Sequence, residues 1–185
     1  MATSRFYTRR GDDGYTNLLG SERVPKYDPR PETYGAIDEA QAILGLVRAS
    51  HCTSYSAQML LTIQRDLSAL MAELAAAGNV NSPFAGSITP DHVRCLEEWI
   101  AECEAHVQMP GEFVIPGDSQ PGAALHLART VVRRAERWAA RLTHEGVLAN
   151  QQVMRYLNRL SSLLFVLALY EDQTAIGHAP TLVKG

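Results

Sequence analysis

Cysteine is scarce in this chain. Cys52, Cys95 and Cys103 are odd in number and show no CxxC spacing, which excludes a disulfide framework and a thiolate zinc site as the basis of the fold. A GxxxxGK(S/T) stretch is also absent, so no Walker-type loop holds a nucleotide here. Positive excess is missing: the net charge is −3 over 185 residues, which argues against a nucleic-acid partner, because such surfaces gain affinity by displacing counterions with Lys and Arg. No apolar run is long enough to cross a bilayer, and Met1 to Tyr7 offers no signal-peptide core. The expectation is a cytoplasmic protein without a membrane or nucleic-acid partner, its thiols buried or incidental. With 46% hydrophobic positions, the chain suits a single domain over residues 1–185 with a substantial core.

What is present is mostly helical periodicity. Asp28-Pro29 is a good N-cap and N1 pair, and Ala36, Ile37, Ala40, Ile43, Leu44 and Val47 form a stripe through to about residue 50. A second helix is expected over 54–77, with Leu60, Ile63, Leu67, Leu70 and Leu74 inward and Gly78 as its stop. Thr89 caps a third, carrying Val93, Leu96, Ile100, Cys103 and Val107. The fourth, over 122–142, has a seam of Ala124, Ala128, Val131, Ala135, Trp138 and Leu142. Asn150 caps a fifth, with Val153, Leu157, Leu160, Leu164 and Leu167 apolar and Gln151, Arg155, Asn158 and Ser162 polar. Five helices with matching seams and short links predict an all-α antiparallel five-helix bundle. Residues 6–27 show neither helical nor strand period and are expected to be an ordered loop, and 173–185 a loosely held tail.

Two stretches carry chemistry. On the fourth helix Arg129, Arg133, Glu136 and Arg137 lie a turn apart along one flank, with Arg134 and Arg141 further round. Such guanidinium groups repel one another unless anions or carboxylates neutralise them, and their donor forks fit phosphate oxygens. Both a polyphosphate site and a solvated basic face agree with the spacing. In the N-terminal loop, Gly11, Gly14 and Gly20 allow close backbone approach, while Thr8, Thr16, Arg9, Arg10 and Lys26 add hydroxyls and charge. That mixture suits a phosphate cradle or a mobile arm. Asp38, off its helix's stripe, is either a solvated acid or the partner of an arginine on the fourth helix. Phe113, from its residue type alone, reads as core. Glu102 and His106 are four apart, but no second ligand pair accompanies them, so no bundle metal site is expected.

Taken together these stretches resemble the PduO-type ATP:cob(I)alamin adenosyltransferases. Tyr7-Thr8-Arg9-Arg10-Gly11-Asp12-Asp13-Gly14-Tyr15-Thr16 is similar to that family's YT(K/R)TGDxGxT, and Arg23-Val24-Pro25-Lys26-Tyr27-Asp28-Pro29-Arg30 to its RVxKxDPR. Tyr34-Gly35-Ala36-Ile37-Asp38-Glu39 resembles YGxxDE, Phe113-Val114-Ile115-Pro116-Gly117 resembles F(I/V)LPG, the run from Ala128 to Arg137 resembles ARTxxRRAER, and Asn158-Arg159-Leu160-Ser161 resembles NRLS. The match spans nearly the whole chain in order. Arg10 and Tyr15 stand where Thr is usual, Asp118 replaces the second Gly of the turn, and Ser162 replaces the Asp after NRLS.

The resemblance implies a homotrimer with ATP and cobalamin meeting at subunit interfaces, Mg²⁺ bridging the phosphates, and a product of adenosylcobalamin plus triphosphate. It puts Arg129 and Arg133 on the ATP triphosphate, and Asp38 as the carboxylate that pairs with the first of them. Thr8, Arg9, Arg10, Gly11, Gly14, Thr16 and Lys26 fall in the loop that closes over ATP, and Glu136 and Asn158 among its polar contacts. Phe113 falls where the family has the aromatic that crowds the lower face of the corrin. A cobalamin reductase upstream and an adenosylcobalamin-dependent acceptor enzyme downstream are the implied partners. A non-catalytic corrinoid or nucleotide carrier, or a helical scaffold with solvated arginines, are the competing classes.

Overall fold

A computed structural model describes residues 7, 9–20, 22–79, 81–177 and 179–184. A short hairpin of β1 (Tyr15–Asn17) and β2 (Arg23–Pro25) precedes five helices: α1 (Pro29–Ala49), α2 (Ser54–Ala75), α3 (Pro90–Glu104), α4 (Gln120–His144) and α5 (Gln151–Ile176). Each start is set by chemistry visible in the sequence. Asp28 accepts from the Arg30 amide at 2.9 Å, Ser119 from Gly122 at 2.9 Å and Asn150 from Gln152 at 3.0 Å, each meeting an amide that the helix itself leaves unpaired. At α3 the Thr89 amide donates to His92 Nδ1 at 3.2 Å.

Helix α1 packs between α2 and α4, and α5 between α4 and α3. The bundle is all-α and antiparallel, its core built from Leu44, Leu60, Ile63, Leu67, Leu70, Leu74, Leu96, Leu125, Tyr156, Leu157, Leu160 and Leu164. Helix α5 is buried almost all round over residues 163–172, as expected of an element covered on several sides. Among the described residues no helix is long and apolar enough to cross a membrane.

Three expectations are corrected. The loop over 6–27 contains an antiparallel ladder, with Tyr15 opposite Pro25, Thr16 opposite Val24 and Asn17 opposite Arg23; strands of three residues are too short to show a period. Val24 and Leu18 are buried, and the Leu19 amide donates to the Ala75 carbonyl at 3.0 Å, so the hairpin is fastened to the end of α2. The seam of α4 is wider than expected: Ala128, Val131, Ala135 and Leu142 are buried as read, Leu125, Val132 and Ala139 join them, and Ala124 and Trp138 are only partly buried, because α1 and α5 cover adjoining faces. Finally, the tail is not loose. Helix α5 runs to Ile176, and beyond it Leu182 forms a bridge opposite Val114, with Thr181 and Val183 hydrogen-bonded on either side.

Candidate active site

Helix α4 places its arginines over α5 on one side and α1 on the other, and their environments differ. Arg134 pairs with Glu39 of α1, and Arg141 with Glu145 at 2.7 Å. Arg129, Arg133 and Arg137 make no ion pair among the described residues. Arg133 and Arg137 are exposed, with Arg137 Nη1 donating to the Arg133 carbonyl at 2.9 Å. Arg129 is half-buried: its guanidinium lies 6.0 Å from the Phe165 ring centroid, and its Nε is buried without a hydrogen-bond partner. Burial, and then the Arg133 charge, lower its pKa from the ordinary arginine value. Three guanidinium groups without a carboxylate partner among the described residues leave positive charge on this face, which an anion would relieve.

Glu136, in the midst of these arginines, accepts instead from Asn158 Nδ2 of α5 at 3.0 Å. Asn158 Oδ1 in turn accepts from Arg159 Nη1 at 2.8 Å, and Arg159 Nε donates to Glu97 of α3 at 2.8 Å. The two expected polar contacts are thus neighbours. Asp38 is exposed and forms no ion pair with Arg129 among the described residues; the residue after it, Glu39, is the one that reaches α4.

In the hairpin, Arg10, Gly11, Tyr15, Thr16, Asn17 and Lys26 line an open cavity of about 320 Å³. A β-carbon on Gly11 would lie 3.2 Å from Lys26 Nζ and 3.3 Å from the Tyr15 carbonyl oxygen, a tight fit that glycine avoids. The Lys26 amide donates to the Gly14 carbonyl at 2.9 Å, and Asp13 accepts from Arg23 Nη2 at 2.7 Å and from the Tyr15 amide at 3.2 Å. The Arg23 hydrogen bond keeps the Asp13 carboxyl below its ordinary range. Arg9 has φ of 59°, a left-handed conformation that costs a non-glycine residue roughly 1–2 kcal/mol, and its guanidinium sits 5.6 Å from the Tyr7 ring centroid. Thr8 lies outside the described residues.

Phe113 is 86% exposed, which overturns its reading as core. The backbone holds it out: its carbonyl accepts from the Val183 amide at 2.9 Å, and the Ile115 amide donates to the Thr181 carbonyl at 2.8 Å. Phe113 and Ile115 share one side of this extended segment, and Ile115 and Val183 are also exposed. Asp118 accepts from the Thr181 amide at 2.8 Å and from its hydroxyl at 2.7 Å. The departure from glycine at this turn therefore serves to anchor the tail.

The sequence reading missed His126 and Asp172. Both are buried. Asp172 accepts from the Ser119 hydroxyl at 2.7 Å, and burial raises its pKa from the usual carboxylate value. A β-carbon at position 122 would fall 2.0 Å from Asp172 Oδ1, so only glycine allows α4 to start against this carboxylate. His126 packs edge-on to Phe165, ring centroids 5.8 Å apart; burial and then Arg129 hold its pKa below the ordinary imidazole value. The available signal was a titratable residue set at an otherwise apolar position of each helix.

The fold is an all-α bundle that carries an arginine face without carboxylate partners among the described residues, a glycine-bearing hairpin and a projecting aromatic. The chain belongs to the cobalamin adenosyltransferase family, whose model matches residues 6–171. It is 40% identical over 178 residues to the corrinoid adenosyltransferase PduO of Salmonella typhimurium, covering 96% of this chain and 52% of that protein. Against a corrinoid adenosyltransferase of Citrobacter freundii it is 38% identical, covering 92% of this chain and 96% of the relative. The chain spans about half the length of the PduO relatives it matches in Salmonella typhimurium and Citrobacter freundii. A variant PduO-type ATP:corrinoid adenosyltransferase from Lactobacillus reuteri, complexed with cobalamin and ATP, superposes with a TM-score of 0.88 at 31% identity, covering 98% of this chain and 100% of that one. A second variant of that enzyme, complexed with ATP, gives a TM-score of 0.86.

Proposed function

We propose that this chain transfers the 5′-deoxyadenosyl group of ATP to cob(I)alamin, releasing triphosphate. The observation that carries the reading is the α4 face on which Arg129, Arg133 and Arg137 lack any carboxylate partner among the described residues, in a chain whose family is that of the corrinoid adenosyltransferases.

The nucleophile is the substrate's own cobalt. Its electron pair forms the bond to C5′ of ATP, the C5′–O bond breaks, and the leaving triphosphate takes that bond's pair. The protein supplies no attacking side chain; its work is positioning and stabilising the departing charge. Arg129 and Arg133 hold the triphosphate, and because its charge grows as the bond breaks, their guanidinium groups stabilise the transition state more than bound ATP. Lys26, Gly11, Gly14, Thr16, Arg9, Arg10 and Thr8 close over the nucleotide, and Glu136 and Asn158 bound its polar side. Phe113 presses on the lower corrin face and displaces the axial donor, which makes Co(II) easier to reduce.

Mg²⁺ accompanies ATP as the counterion of its phosphates. Among the described residues no group of three or more His, Cys, Asp or Glu is placed to hold a metal ion. The working form is a homotrimer with the site between chains. In favour of this, Asp38 is exposed and unpaired with Arg129 in its own chain, and Leu46 of α1 and Leu127 of α4 are 59% and 54% exposed on the helices that carry these residues. Asp38 would then meet a neighbouring chain's Arg129.

The test is turnover with ATP and chemically reduced cobalamin. Adenosylcobalamin and triphosphate should form in equal amounts. Binding of both ligands with no triphosphate released would reduce the chain to a carrier. Failure of ATP to raise the melting temperature would leave the arginines a solvated face.

A further inference from the structure

Between Arg129 and the start of α4 lies a buried cluster to which the proposed chemistry gives no task. His126 is 4% exposed, and neither Nδ1 nor Nε2 has a hydrogen-bond partner. One turn along the helix, Arg129 Nε is likewise buried and unpartnered. The two side chains share one platform, His126 edge-on to the Phe165 ring and Arg129 over its face. Behind them Asp172 of α5 is fastened by the Ser119 hydroxyl. Buried polar atoms left unpaired cost free energy and are rare in folded proteins, and here all three lie around one half-buried guanidinium.

Donor and acceptor numbers match. A neutral imidazole has one N–H and one bare nitrogen. The Asp172 carboxylate accepts, and Arg129 Nε–H donates. We propose that His126 is a positioning residue: its bare ring nitrogen accepts the Arg129 Nε–H as the guanidinium turns onto its anion, while its N–H faces Asp172. Paired this way, the three orphaned atoms are all satisfied, and the Arg129 fork is held at both ends, by phosphate at its Nη atoms and by imidazole at Nε. Protonated His126 offers no acceptor and sets a second cation beside Arg129. The charged groups facing the ring are Arg129 on α4 and Asp172 on α5, with Asp118 acting on Asp172 from the preceding turn. Burial, and then Arg129, hold the imidazole below its ordinary pKa, which keeps it in the accepting form.

This rests on the assignment of Arg129 to the triphosphate, and the experiment separates the two. ATP affinity by calorimetry and kcat with reduced cobalamin are measured for the parent, His126→Leu, His126→Gln, Arg129→Lys and the His126→Leu/Arg129→Lys double variant. Lysine keeps the charge but has no Nε–H fork. Expected is a loss of about tenfold in kcat for His126→Leu, with the melting temperature unchanged or raised. The same substitution in the Arg129→Lys background should lose less than about twofold. His126→Gln, which keeps an acceptor and cannot titrate, should recover part of the rate and remove the parent's loss of rate on the acid side. Equal losses in both backgrounds, or a parental rate in His126→Leu, would overturn the proposal. If His126→Leu does not fold, the pH profile of His126→Gln decides, since a purely structural histidine would leave the acid limb in place. Absence of ATP binding by the parent would instead remove the function assignment itself.

Discussion

Phe113→Ala separates what the ring does for the fold from what it does for the chemistry. Complete burial of a phenylalanine stabilises a fold by about 2–3 kcal/mol. Phe113 is 86% exposed, so it buries about a seventh of its surface and contributes roughly 0.3–0.4 kcal/mol. For a chain of this length 1 kcal/mol moves the melting temperature by about 2–4 °C, which puts the alanine variant within about 2 °C of the parent. The hydrogen bond from the Val183 amide to the carbonyl of residue 113 is backbone to backbone and survives the change. ATP affinity, which the proposed function places on α4 and the hairpin, should also stay near parental. Turnover should fall by roughly tenfold or more, and the spectral change of Co(II) cobalamin on binding, expected for the parent, should be missing. Thermal melts, calorimetry with ATP, turnover and Co(II) spectra on the same two samples make the comparison. Identical Co(II) spectra for both proteins, or a near-parental rate, would refute the role given to the ring. A melting temperature lowered by more than about 4 °C would contradict the exposure from which the argument starts.

Arg133→Ala removes an exposed side chain that makes no ion pair among the described residues; stability should move by less than about 0.5 kcal/mol, while kcat falls roughly a hundredfold or more, both read from melts and turnover. Gly122→Ala puts a β-carbon 2.0 Å from Asp172 Oδ1 and 2.8 Å from Ser119 Oγ, forcing apart a buried hydrogen bond; about 3 kcal/mol is lost, seen in calorimetry as a melting temperature roughly 6–12 °C lower, and an Asp172→Ala background should recover part of it. Asp118→Ala removes the acceptor of the Thr181 amide and hydroxyl, so amide exchange at 181 and 183 should accelerate while α5 amides keep parental protection. His126 has a folded pKa below that of the unfolded chain; its neutral burial is therefore fully tolerated above the ordinary imidazole pKa near 6.5, and stability is lost as pH falls below that value toward the lowered one. His126→Gln should flatten that part of the profile, and a variant with the parent's full acid-side slope would contradict the assignment.

Helix existence was legible because burial imposes a period on the sequence, as in Leu60, Ile63, Leu67, Leu70 and Leu74, all fully buried. Starts were legible for the same kind of reason at Asp28 and Asn150, whose capping contacts depend on two or three neighbouring residues, whereas α4, expected from 122, begins at Gln120 with Ser119 as its cap. The long-range contacts were not. Nothing in the order of residues 179–184 announces a backbone pairing with 113–115, and a hairpin of two three-residue strands has no periodicity to display. Phe113 shows why residue type alone misleads, since hydrophobicity predicts burial only on average, and backbone pairing with the tail keeps this ring in solvent. The motifs drew attention to Arg129, Arg133, Glu136 and Asn158, but nothing in them announces the hydrogen bond from Asn158 to Glu136.

That turn bears on how the α4 face works. A carboxylate among arginines ordinarily neutralises them, and any phosphate arriving there would have to displace it, breaking a charged pair for every new one it forms. Within one chain three carboxylates of α1 and α4 are engaged elsewhere: Glu136 by the Asn158 amide, Glu39 by Arg134, Glu145 by Arg141. In the single chain Arg129, Arg133 and Arg137 have no carboxylate partner among the described residues, and on the proposed function an incoming triphosphate would relieve their mutual repulsion. On the proposed function the same arrangement would favour departure of the triphosphate, because guanidinium groups already on the phosphates need no rearrangement as the leaving charge rises. Replacing Asn158 with leucine frees Glu136 to swing toward Arg133 or Arg137, so the loss in ATP affinity should exceed that of a single neutral hydrogen bond, more than about tenfold. Calorimetry with ATP on Asn158→Leu and on Asn158→Leu/Glu136→Gln distinguishes the cases: if the second substitution restores none of the lost affinity, Glu136 is not the competing charge and the face is kept open by something other than its neighbour.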